Sequence, residues 1–199
     1  MVSRTTVRLP AGERRAQLLD VTKAMVAEQG FHAVSIEAVA REAGVSRPIV
    51  YGHFGDLPGL LEALVLRETA RALRQLEDVL PGDLGAGDAS ALLLASLRGY
   101  LEAVHADPAT WRLVLMPPEG APALLRDRLA QGRAAVVAQL ADAARPGLGR
   151  GGPSPDPELT ARTLSAVADE AARLLLTDPA RYPVHRLVAH AGWVLARLG

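Results

Sequence analysis

SIEAVAREAGVSRPIVYGHF, residues 35–54, is the stretch on which the reading of this chain turns. It opens on Ser35, a strong helix N-cap, before the seven-residue run Ile36 to Glu42, in which Ile36, Val39 and Ala40 share one face. Ala43, Gly44 and Val45 follow, a tight turn in which Gly44 is expected to take an unusual backbone angle that swings one short helix across the other. Ser46 then caps a second short helix reaching about His53, with Pro48 in its first turn, where a missing N–H costs little. Two short helices swung across one another at a three-residue turn form a helix-turn-helix, too small to stand alone.

The missing wall lies upstream. Ala11 to Gln29 reads as a helix with Leu18, Val21 or Thr22, and Met25 in one stripe and Leu19 and Val26 beside it. Gly30 is placed as a left-handed C-cap, and Phe31 leads back toward the core. In the third helix Val45, Ile49 and Val50 are read as inward, leaving Ser46, Arg47, Pro48, Tyr51 and His53 near the surface. An arginine at a helix start followed by a tyrosine suits entry into a DNA major groove. Arginine pairs bidentately with guanine, and tyrosine reaches a phosphate. Helix lengths alone fit a compact three-helix corner of an all-α domain equally well.

Downstream the chain continues as helices between Pro and Gly breaks. Asp56 caps a fourth, with Pro58 in its first turn, running to about Leu80. Further helices are expected at about 89–105, 108–115, 122–145, 156–176 and 183–198, the eighth capped by Asp156. Alternating strand patterns are absent and aromatics are only 4% of the residues, so the fold class is all-α, with about nine helices.

Composition narrows the function. There is no cysteine, which excludes a disulfide scaffold, a thiolate zinc site and a cysteine nucleophile. No secretory signal pattern is read in residues 1–10, and no apolar run reaches 18 residues, so a cytoplasmic location without a membrane span is expected. Net charge is zero, but residues 1–55 carry seven basic against five acidic side chains, a net of +2, and the remainder is −2. That asymmetry is a mild argument for a nucleic-acid partner at the N-terminus. The run Gly147 to Gly152 fits GxGxxG by letter, yet follows a helix and meets Pro153, so it reads as a loop. His32, His53, His105, His185 and His190 form no i, i+4 pair, and no catalytic elbow or phosphate loop occurs. No metal, cofactor or enzymatic activity is expected.

Gly30 to Ala40 and Ala43 to Phe54, with the preceding helix from Arg14 to Glu28, strongly resemble the DNA-binding signature of the TetR family. The likeness covers about residues 11–66; beyond it only the helix pattern and lengths fit. It implies a DNA-binding domain at 1–55 and an effector-binding and dimerisation domain at 56–199. By that resemblance Ser35 and Arg41 lie near phosphates, Ser46, Arg47 and Pro48 face base edges, Tyr51 and His53 grip the backbone, and Phe54 closes the small core. Two positions depart from the family pattern. Gly52 stands where a bulky polar residue is usual, and Leu57 where a lysine is usual, which implies one fewer phosphate contact.

The resemblance also places a ligand cavity among helices four to eight, with Tyr100, His105, Trp111 and Met116 as candidates. Leu164, Ala168, Leu175, Leu187, Ala191 and Val194 recur at helical spacing on the last two helices. They fit either packing within one subunit or a symmetric dimer interface anchored by Trp193, and the resemblance favours the interface. The implied function is a transcriptional regulator binding double-stranded operator DNA as a homodimer. It is expected to repress and to be released by a small, mainly apolar effector. An effector-independent regulator, an activator, and a helical enzyme or carrier on the same fold stay open.

Overall fold

The computed structural model describes residues 9–77, 79–84, 88–118, 120–146 and 156–198. The GxGxxG-like run at 147–152 lies outside them. Among the described residues the chain forms nine α-helices and no strand: α1 (Ala11–Gln29), α2 (Ile36–Glu42), α3 (Arg47–Phe54), α4 (Leu57–Glu77), α5 (Ala89–Ala106), α6 (Pro108–Leu115), α7 (Ala123–Ala144), α8 (Pro157–Thr177) and α9 (Val184–Leu198). No single helix among them is long and apolar enough to cross a membrane. Contacts group the described residues into two units, one up to Arg67 together with Pro118 and residues 120–122, the other made of Glu68–Pro117 and the residues from Ala123 onward, so the division falls within α4.

In the N-terminal unit α2 packs on both α1 and α3. Leu18, Leu19 and Val26 of α1, Val39 of α2 and Val50 of α3 are buried. Thr22 takes the place in the α1 stripe left open between it and Val21. It is fully buried because its hydroxyl donates to the Leu18 carbonyl oxygen at 2.7 Å, satisfying a group that would otherwise be costly to bury. Ser35 accepts from the Ala38 N–H at 3.1 Å, and Asp56 from the Gly59 N–H at 2.7 Å, so both serve as N-caps. Gly44 has φ 66°, in the left-handed region, as the α2–α3 turn requires.

Three local expectations are corrected. Gly30 has φ 81° but ψ 173°, an extended conformation open essentially to glycine alone and not the left-handed helical one. Its N–H still closes α1 on the Val26 carbonyl oxygen at 2.9 Å. Ser46 occupies the N-cap of α3, but its side chain makes no capping hydrogen bond. Pro48 at the second helical position has no N–H to offer, and the Ile49 N–H is bonded to the Ser46 backbone oxygen at 3.0 Å. Ile49 is 40% exposed, not inward; in a helix of two turns Val50 alone is fully buried.

In the C-terminal unit α5 contacts α6, α8 and α9, while α8 also packs on α6 and α7. Its main core joins Tyr100, Leu101, Trp111, Leu175, Leu176 and Val188, and a smaller one joins Val137 and Leu140 of α7 to Ala161 of α8. Asp88, Asp107 and Asp156 cap α5, α6 and α8 through their carboxylates. Most helix starts therefore carry a short polar side chain that accepts a backbone N–H otherwise without an intrahelical partner.

Candidate nucleic-acid interface

The Ser35 hydroxyl is half-buried against the start of α2, and Arg41 is exposed near its end. Ser46, Arg47, Pro48 and Tyr51 are all exposed on α3, and His53 is half-buried at its C-terminal turn. The fold thus brings the surface candidates onto one short helix, α3, and the two ends of its partner, α2. Phe54 is half-buried beside His53, with ring centroids 6.1 Å apart.

Two residues not singled out from sequence hold this head in shape. Arg15 of α1 lays its guanidinium 4.4 Å from the Phe54 ring centroid, and its Nη1 donates to the His53 carbonyl oxygen at 2.8 Å. A cation there both covers an aromatic face and caps the negative end of α3. Thirty-eight residues separate the partners, so no local pattern announces the contact.

Glu37 is the other. Its Oε1 accepts from Arg47 Nη1 at 3.1 Å, with the two side chains 55% and 62% exposed. A hydrogen bond from its own backbone N–H, and then Arg47, hold the Glu37 carboxyl below the usual carboxylate range. The arginine expected to read bases is therefore oriented across the α2–α3 pair by an exposed, water-accessible partner. Exchanging that partner for a base edge costs little, because exposed ion pairs contribute little.

In the C-terminal unit Tyr100 and Trp111 meet edge to face, centroids 5.1 Å apart at 75°. The Tyr100 hydroxyl donates to Asp169 Oδ1 at 3.3 Å, and Trp111 Nε1 donates to Gln75 Oε1 at 2.8 Å. Burial, then the Asp169 charge, pushes the Tyr100 hydroxyl well above its ordinary value. Burial likewise pushes Asp169 up, opposed by Arg133 at 3.4 Å and Arg173 at 3.9 Å. His105 and Met116 are exposed and do not join this pair. A separate cleft of about 720 Å³ lies between α7 and the start of α8, lined by Ala134, Val137 and Ala141 together with three arginines (Arg133, Arg145, Arg162) and three carboxylates (Asp142, Asp156, Glu158); none of the four ligand candidates lines it.

On the last two helices Leu175 is buried in its own core, whereas Leu164, Ala168, Leu187, Ala191 and Val194 are half-buried. Val167 and Trp193 are the exposed large apolar residues nearest them in sequence. Trp193 is 54% exposed, stacked on His190 with centroids 5.8 Å apart and covered by Arg197 at 4.0 Å. Among the described residues no group of three or more His, Cys, Asp or Glu side chains is placed to hold a metal ion.

Part of the chain is similar to known transcriptional regulators. Residues 18–64, the three-helix head with the start of α4, match the model for bacterial regulatory proteins of the tetR family. The transcriptional activator FasR of Mycolicibacterium smegmatis is 29% identical over 107 residues, 54% of this chain and 48% of that protein. The transcriptional regulator BetI of Vibrio atlanticus is 32% identical over 101 residues, 49% of this chain and 50% of its own length. The chain thus spans about half the length of these curated relatives, both of which carry the description of transcription factors. Among solved structures, a tetR-family transcriptional regulator from Streptomyces coelicolor superposes with a TM-score of 0.68 at 25% identity, over 96% of this chain and 82% of that one.

Proposed function

We propose that this chain, whose residues 18–64 match the model for bacterial regulatory proteins of the tetR family, is a homodimeric transcriptional regulator that binds double-stranded operator DNA. The observation that carries the reading is the outward face of α3. It presents Ser46, Arg47, Pro48 and Tyr51 from a glycine-turned pair of short helices, inside the segment that the family match covers. Two copies would offer two such helices to successive major-groove faces of a near-palindromic site, with half-site centres roughly 34–36 Å apart. Ser35 and Arg41 would lie near phosphates, with the N-terminus of α2 adding a favourable dipole. Arg47 would leave Glu37 for a guanine edge, and Tyr51 and His53 would hold the backbone.

Residues 56–199 would bind the effector and dimerise. The exposed Val167 and Trp193 support α8 and α9 as the dimer faces, since a tryptophan half open to solvent in one subunit suits burial against another. Leu175 would contribute only through its own core. Of the four effector candidates Tyr100 and Trp111 meet one another inside the core, so a small, mainly apolar effector that used them would have to part their packing. Such a ligand releases DNA only if it binds the non-binding arrangement more tightly than the binding one. Repression is the simplest outcome of occupying an operator. The description of FasR as an activator favours a second reading, in which the bound dimer recruits transcription instead.

The test is selection of bound duplexes from a random DNA library by the whole chain, with titration of the selected duplex at two salt concentrations. A palindromic consensus whose affinity falls steeply with salt is expected. Weak binding without any enriched sequence would sink the proposal.

A further inference from the structure

The outward arc of α3 carries more than its polar candidates. Successive helical residues are turned by about 100°, so with Val50 as the buried spoke, Pro48 and Gly52 point away from the core and Ile49 and Tyr51 flank them. Ile49 is thus a β-branched apolar side chain, 40% exposed, on the same arc as Pro48. Beside it, at i+3, Gly52 leaves the helix backbone bare.

Nothing in the fold calls for that glycine. Its φ is not positive, and a Cβ built on it would meet no atom within 4 Å. An interior helical glycine weakens a helix relative to alanine, and in a helix of eight residues there is little else to compensate. The remaining physical use of a missing side chain is close approach of the backbone to something outside the protein.

In a major groove the apolar group that projects to meet such a surface is the 5-methyl of thymine, the one feature distinguishing thymine from uracil. Resting on the DNA-reading function proposed above, we propose that Ile49 and the bare backbone at Gly52 form a shallow apolar seat for a thymine methyl group. Ile49 is then a specificity-determining residue, selecting a T·A pair by contact with a methyl and not by hydrogen bonding. Arg47, with its five donors, reads polar base edges, and Ile49 reads what polar groups cannot.

The test uses the duplex selected by the whole chain from a random library, with each thymine replaced singly by deoxyuridine. The replacement keeps base pairing and removes only the methyl. At one thymine per half-site the affinity should fall about fourfold, equivalent to about 0.8 kcal/mol for one buried methyl. Ile49→Ala should bind the parent duplex more weakly and become indifferent to deoxyuridine at that position. Gly52→Ala should raise the thermal midpoint yet bind the same duplex more weakly, because its methyl fills the seat. A selected duplex that tolerates every replacement overturns the seat while leaving the DNA-reading function intact. So does a sensitivity that persists in Ile49→Ala, or a Gly52→Ala chain that binds as tightly as the parent. If no duplex is selected at all, the function and the seat fall together.

Discussion

Arg47 in the N-terminal unit and Arg173 in the C-terminal one both sit beside carboxylates, but they are used in opposite ways. Arg47 projects into solvent from the start of α3 and meets Glu37, itself exposed. Arg173 is half-buried. Its Nε donates to the Leu115 carbonyl oxygen at 3.4 Å, and its head lies 3.4 Å from Glu170 and 3.9 Å from Asp169. Arg112 makes a similar tie, donating to the Leu176 carbonyl oxygen at 3.1 Å. In one unit a cation is held by a partner it can exchange; in the other, cations stitch α6 to α8. A reading surface has to keep its charges available, whereas a scaffold around buried Tyr100 and Trp111 uses them to satisfy carbonyls at helix ends.

The sharpest way to break that contrast is Trp111→Ala. Trp111 is almost wholly buried, packed edge-on to Tyr100 and bonded to Gln75, so truncation leaves a cavity and an unpaired amide oxygen. A loss of about 3–5 kcal/mol of stability is expected in urea denaturation. A markedly smaller loss would mean that the core of the C-terminal unit collapses easily, and the notion of a stitched scaffold would fail. Arg47→Ala should do the reverse. Thermal stability should barely move, because the side chain is exposed, while affinity for the selected duplex drops by about 1–3 kcal/mol with relaxed preference at one base pair. If instead it unfolds the head and leaves preference intact, Arg47 is a structural residue like Arg173.

The same contrast explains what could be read from the sequence. In the head the decisive signals are local: Ser35 three residues before Ala38, Gly44 between two short runs, Asp56 three before Gly59. These fix helix starts and the turn without reference to the rest of the chain. Ile49, expected to face inward, is exposed instead: eight residues make only two turns, and periodicity alone does not fix the face of a neighbour of the buried spoke. Contacts between distant residues were beyond reach. Arg15 finds His53 across 38 positions, and Tyr100 finds Asp169 across 69, each dictated by packing that no spacing encodes. Leu175 shows the same difficulty at an outer helix. Apolar residues at helical spacing look alike whether they face their own core or a second subunit, and this one faces its own.

A milder probe stays inside the head and compares two serines at two helix starts. Ser35 accepts the Ala38 N–H, so Ser35→Ala should cost about 1 kcal/mol of stability. Ser46 occupies the same position before α3, but Pro48 has removed one donor and the Ser46 backbone oxygen already holds the Ile49 N–H. Ser46→Ala should therefore change stability by no more than about 0.5 kcal/mol, the range of an ordinary surface substitution. A hydroxyl with no capping duty, exposed next to Arg47, is free to meet DNA, so its removal should appear in the binding titration and not in the melting curve. Equal stability losses in the two variants would mean that Ser46 caps α3 in solution after all, and its place among the base-facing residues would rest on Arg47 and Pro48 alone.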